Sequence, residues 1–127
     1  MKNNEIVKVS TLGKTWILDL DGTIVKHNGY KIDGHDTLLG GIEYFLDQIM
    51  KEDIVIIVTS RTEDYKQETI KFLKENNIRY NHIIFNAPYG ERIVVNDKKP
   101  SGLPTALAIN TDRDIATTIH FRKDETL

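Results

Sequence analysis

An apolar run that stops on paired acids constrains this chain more than any other feature. Trp16-Ile17-Leu18-Asp19-Leu20-Asp21-Gly22-Thr23 leads a hydrophobic stretch into two carboxylates one residue apart, then a glycine and a hydroxyl. Side chains alternate along an extended strand, so Asp19 and Asp21 share one face and Leu20 takes the other. Two acids projecting together from a buried strand end cost free energy unless a cation or a reaction accompanies them. Gly22 allows a sharp exit, and Thr23 can hydrogen-bond there. An Asx-type turn closing the strand explains one Asp but not a same-face pair.

Downstream, apolar runs and helical periodicity alternate. After a first strand over about 15–20, Leu38, Leu39, Ile42, Phe45, Leu46 and Ile49 recur at three- and four-residue intervals and predict a helix. Ile54-Val55-Ile56-Ile57-Val58 is apolar on both faces and largely β-branched, which predicts a central parallel strand. Ser60 or Thr62 can cap the next helix, with Glu63 and Asp64 in its first turn, Tyr65, Ile70, Phe72 and Leu73 on its apolar side, and Asn76-Asn77 at its end. His82–Phe85, Ile93–Asp97 and Ala106–Ile109 read as three further strands, separated by the Pro88/Gly90 turn and the Pro100/Gly102/Pro104 loop. The charged tail 111–127 reads equally as helix or strand.

Strand–helix alternation predicts a three-layer α/β/α, Rossmann-like sandwich with a mainly parallel sheet and helices on both faces. Ligands then bind beyond the carboxyl ends of the strands. A length of 127 residues suits one domain, with a core over about 14–110 and a short flap over 25–36. Seventeen Lys and Arg against nineteen Asp and Glu leave no basic footprint for nucleic acid. No apolar run reaches membrane-spanning length and Met1–Glu5 holds no signal-peptide core, so a cytoplasmic location is expected. The lack of cysteine excludes disulfides, thiolate metal sites and a thiol nucleophile. His27, His35, His82 and His120 show no metal-ligand spacing.

Three predicted strands end in polar residues: Asp19/Asp21, Thr59-Ser60-Arg61 and Asn96-Asp97. Any one could be loop chemistry, but their coincidence at one rim of a sheet points to a site. In order and character they resemble motifs one, two and four of the haloacid dehalogenase-like (HAD) phosphohydrolases, over about residues 14–110. That resemblance implies Asp19 as the nucleophile and Asp21 as general acid and base. It also implies Mg²⁺ held by the Asp19 carboxylate, the Asp21 main-chain carbonyl and the Asp97 carboxylate. Thr59 would donate its hydroxyl to a phosphoryl oxygen, with Ser60 as its neighbour and a helix cap as the alternative role. Gly22 and Thr23 would line the phosphate, and Arg61 would reach substrate or sit in a salt bridge.

Two departures stand out. Asn96 replaces an acid often found beside the fourth motif. The lysine or arginine of the third motif is missing from Asn86-Ala87-Pro88, leaving Lys98 as the first substitute, Arg92 as the second, and Lys99 also within reach. The gaps from Thr23 to Ile54 and from Arg61 to Ile93 are too short for a cap domain, which resembles the capless branch of the family. Gly90–Gly102 resembles small phosphatases of bacterial surface-polysaccharide pathways, implying a small-molecule sugar phosphate as substrate. An open site also makes a homo-oligomer attractive. A regulatory or binding domain on the same fold, and a receiver-type domain, are the alternatives; Gly22-Thr23 after the acids favours a hydrolase over the latter.

Overall fold

The computed structural model describes residues 5–127. Its elements in chain order are β1 (Ile6–Val9), β2 (Thr15–Asp19), α1 (Gly29–Ile32), α2 (Ile42–Leu46), β3 (Ile54–Val58), α3 (Lys66–Glu75), β4 (His82–Ile84) and β5 (His120–Lys123), with a 3₁₀ turn over Glu63–Tyr65 before α3. The fold is α/β with parallel strands, as the alternating pattern predicts. The strands fall in two sheets rather than the single one expected, and the larger does not carry helices on both faces. One sheet runs β2-β3-β4 and the other pairs β1 with β5.

In the three-stranded sheet, Trp16 pairs with Val55 and Leu18 with Ile57, while Ile17 pairs with Ile56 and Asp19 with Val58. Parallel partners in register share a face. The first two pairs therefore define one side of the sheet, and Ile17, Ile56, Asp19 and Val58 the other. Burial is lopsided: Val55 and Ile57 are fully buried, whereas Ile17 and Ile54 are half exposed. The topology explains this. Both crossovers, β2 to β3 and β3 to β4, step the same way, and right-handed connections of that kind put their helices on one side. Ile42 and Phe45 of α2 and Leu73 of α3 join Leu18, Val55 and Ile57 in one core. Asp19 belongs to the barer face.

The helix predicted over 38–49 is shorter than its periodicity suggests. Leu38 instead bridges Val25, and the Leu39 N–H donates to the Ile24 carbonyl. Gly41 then takes a positive φ of 83° at the start of α2, a turn that most residues resist. The predicted strands Ile93–Asp97 and Ala106–Ile109 are not strands among the described residues. Residues 90–102 are exposed throughout, as are 106–110. A β-branched run forms a strand only where a neighbour supplies the ladder of hydrogen bonds, and here none does. The tail resolves toward strand, since β5 closes the small sheet.

Aromatic packing joins the two sheets. Trp16 meets Phe45 and Phe121 edge-on, with ring centroids 5.6 and 5.1 Å apart. Gln48 donates to the Ile119 carbonyl and accepts from the Phe121 N–H, fixing the approach to β5. Asp53, buried beside them, accepts from the Lys14 N–H, the Trp16 indole and the Met50 N–H. Burial works to raise its pKa, but the indole and the two main-chain donors outweigh it and hold the carboxyl below its usual range. Among the described residues no helix is long and apolar enough to cross a membrane.

Candidate active site

The loop after β2 is built to present Asp19. Leu20, whose side chain is buried, offers its carbonyl to the N–H groups of Thr23, Ile24 and Val25, while the Gly22 N–H bonds back to the Val25 carbonyl. That tight return needs φ near 84° at Gly22, which only glycine adopts at little cost. The Asp19 side chain stays 41% exposed at the strand's carboxyl end. One of its oxygens accepts from the Thr23 hydroxyl at 3.0 Å. The other accepts from Arg92 Nη1 at 2.9 Å. Thr23 and Arg92 thus hold the carboxylate from opposite oxygens.

Of the cations considered for the missing third-motif residue, Arg92 is the one whose side chain meets Asp19. Its guanidinium also approaches the Val58 carbonyl at 3.4 Å, so it lies across the carboxyl ends of β2 and β3. Lys98 and Lys99 sit on the exposed stretch, and neither side chain has an ion pair among the described residues.

Arg61 is buried, and all of its donor capacity is engaged. Nε and Nη2 bond the two oxygens of Asp21 at 3.0 and 2.9 Å. Nη1 and Nη2 bond the two oxygens of Asp36 at 3.0 and 2.7 Å, and Nη1 also donates to the Thr69 hydroxyl at 2.9 Å. A guanidinium has five N–H donors, and these bonds use all five. The Tyr30 ring covers its face, 3.9 Å from Cζ. With 1% of its side chain exposed, Arg61 fills the salt-bridge role and has no donor left for a phosphate. Burial alone would make the guanidinium easier to deprotonate; Asp36 and Asp21 outweigh that and raise its pKa.

Thr59 is buried at the end of β3, its hydroxyl accepting the Arg61 N–H at 3.1 Å. Its N–H continues the ladder to the Ile84 carbonyl. Ser60 is partly exposed and donates to the Pro88 carbonyl at 3.5 Å. Asp97 is exposed on the irregular stretch, just before a turn in which the Gly102 N–H bonds the Lys99 carbonyl. Thr105 donates to the Asp97 main-chain oxygen and accepts from the Asn96 amide.

Among the described residues no three His, Cys, Asp or Glu side chains converge closely enough to hold a metal ion. Asp19 stands at the carboxyl end of β2, and Asp97 lies on the exposed stretch before the Lys99–Gly102 turn.

Three contributors escaped the sequence reading: Asp36, Tyr30 and Asp114. Asp36 and Tyr30 are bound into the Arg61 cluster from the flap, whose Lys26 is held by Asp33 at 2.8 Å. Asp114 clasps the loop after β2: its N–H donates to the Gly22 carbonyl at 2.8 Å, and its carboxylate accepts the His27 N–H at 2.7 Å. Arg113 lies against Gly22 so closely that a Cβ there would come within 3.2 Å of its Cγ. The Thr-Asp-Arg-Asp sequence at 111–114 is turn-like, but nothing in it specifies a partner ninety residues upstream.

Comparison with known proteins agrees with this architecture. Neither the curated proteins nor the solved structures gave a match. The sequence profile of the NLI interacting factor-like phosphatases, a HAD-like family, matches residues 14–96. That span runs from just before β2 through α3 and β4, past Arg92 to Asn96, and covers more than half the chain. It includes Asp19, Asp21, Thr59 and Arg61. On that match and the geometry of the β2 loop, the chain belongs to the NLI interacting factor-like phosphatase family.

Proposed function

We propose that this phosphatase hydrolyses a phosphomonoester on a small metabolite through an aspartyl-phosphate on Asp19. The observation carrying the proposal is the Asp19 carboxylate itself: solvent-accessible, at a strand end, and oriented by Thr23 and Arg92. An Asp19 oxygen attacks phosphorus in line, the bond to the leaving oxygen breaks, and Asp21 delivers a proton to that oxygen. Water then attacks the phosphorus of the aspartyl-phosphate and gives its proton to Asp21. Inorganic phosphate leaves and the Asp19 carboxylate is restored. Arg92, already beside Asp19, is suited to counter the charge of the incoming phosphoryl group.

HAD-like phosphatases are generally metal-dependent, and magnesium is the ion this reading names. The Asp19 carboxylate, the Asp21 carbonyl and the Asp97 carboxylate are its expected ligands. The substrate is expected to be a sugar phosphate of a surface-polysaccharide pathway, a proposal resting on the resemblance of Gly90–Gly102. A second copy of the chain is the expected lid over the open site, and a monomer by light scattering at micromolar concentration would exclude it.

Release of inorganic phosphate from an aryl phosphate tests the core of the proposal. Asp19→Asn is expected to lower turnover by about a thousandfold or more, because an amide cannot act as the nucleophile. Undiminished turnover in that variant would refute the assignment. A binding module is the competing reading, favoured by Asp21 having both oxygens engaged by Arg61. It predicts no phosphate release by the wild type, with magnesium or without, while calorimetry still detects binding of inorganic phosphate.

A further inference from the structure

The flap residues Asp36 and Tyr30 have no place in the hydrolytic steps, yet both are built into the contact that fixes Asp21. Arg61 grips the two Asp21 oxygens with Nε and Nη2, the paired edge that matches a carboxylate in geometry. The orientation of the Asp21 carboxylate is therefore the orientation of the guanidinium. Four groups set that plane. Asp36 grips Nη1 and Nη2 bidentately, Thr69 of α3 accepts from Nη1, the Thr59 hydroxyl fixes the Arg61 main chain, and the Tyr30 ring lies over the guanidinium face. Tyr65 in turn meets Tyr30 edge-on, with centroids 4.7 Å apart. The Asp36 side chain is only 6% exposed, so its charge is desolvated for this contact alone.

We propose that Asp36 and Tyr30 are positioning residues that aim the Asp21 carboxylate at the leaving oxygen by holding Arg61. The inference rests on the phosphatase reading above. A carboxylate has about four lone-pair sites, and Arg61 takes two, leaving the others for the transferred proton. Their direction follows the guanidinium plane, and a small rotation turns them from the scissile bond. The flap over the site and the aim of the proton donor are thus one structural unit.

Proton donation matters most when the leaving oxygen is a strong base. The test compares kcat/KM for phenyl phosphate, whose leaving phenolate needs a proton, with 4-nitrophenyl phosphate, whose weakly basic nitrophenolate does not. General acid catalysis typically contributes roughly 100- to 10,000-fold. Asp36→Asn and Tyr30→Leu are expected to lower kcat/KM for phenyl phosphate about tenfold and for the nitrophenyl ester no more than about twofold. Tyr30→Phe, which keeps the ring, is expected to restore the wild-type ratio of the two esters. Parallel losses on both esters in soluble, cooperatively melting variants would overturn the inference and leave these residues a purely structural role. If Asp36→Asn does not fold, the Tyr30 pair decides the matter alone. No phosphate release by the wild type from either ester would remove the hydrolytic reading and this inference with it, an outcome distinct from parallel losses.

Discussion

Ile54–Val58 and Ile93–Val95 look alike in sequence and end differently in the fold. The first run lies between two parallel partners with Val55 and Ile57 fully buried. The second lies in the open, with Ile93 82% and Val95 91% exposed. Composition is nearly the same; what differs is a neighbour able to take the backbone hydrogen bonds. Each run leads into part of the candidate site. The paired strand ends in Thr59 and Arg61, whose geometry is fixed by buried contacts. The unpaired stretch is flanked by Arg92, which reaches Asp19, and by Asp97, which lies exposed.

The largest effect expected from this contrast is on stability. Ile57→Ala removes most of a fully buried side chain and should cost about 2–5 kcal/mol in denaturant unfolding. Val95→Ala should cost less than about 0.5 kcal/mol, as exposed substitutions usually do. Similar costs at both positions would mean that the 93–97 run is packed in solution and would break the comparison.

Next comes the cation. Arg92→Ala is expected to lower kcat/KM about 10- to 100-fold, in line with loss of a charge-stabilising donor. Lys98→Ala should change it by less than about threefold, because its side chain is solvated. The reverse ranking would return the third-motif role to Lys98. Asp97 sharpens the same point. If it joins Asp19 on magnesium, Asp97→Asn should raise the magnesium needed for half-maximal activity by about tenfold or more. An unchanged requirement would remove Asp97 from the ligand set.

The smallest effect concerns pH. Asp53 has a folded pKa below its unfolded value, so its contribution is present above the ordinary carboxylate range near 3.8 and is lost as pH falls through the lowered folded value. Asp53→Asn should therefore flatten the acid side of the stability curve. An acid limb unchanged by the substitution would show that other groups set it.

Much of this architecture was legible from local pattern. The apolar run into Asp19 and Asp21, the β-branched Ile54–Val58 and the helix after Arg61 each carry their own signal, and all three appear in the fold. The acids at the end of β2 were readable because a same-face pair has few structural explanations. What could not be read depends on distant partners. Leu38 and Leu39 keep a helical spacing but belong to a bridge with Val25, which only the folded chain brings near. Asp36 looks like any loop acid until Arg61, twenty-five residues on, binds it. Arg92 over Lys98 was likewise a question of reach across the strand ends, and neighbouring positions in sequence do not encode reach.

The pairing of β1 with β5 carries a consequence for how the molecule is made. Ile6 lies opposite His120, almost the whole length of the chain away. During synthesis the β2–β4 sheet and its helices can close while β1 still waits for its mate to leave the ribosome. The segment leading to β5 also brings Asp114 to the Gly22 loop, so that clasp too can form only after the β2–β4 sheet has been made.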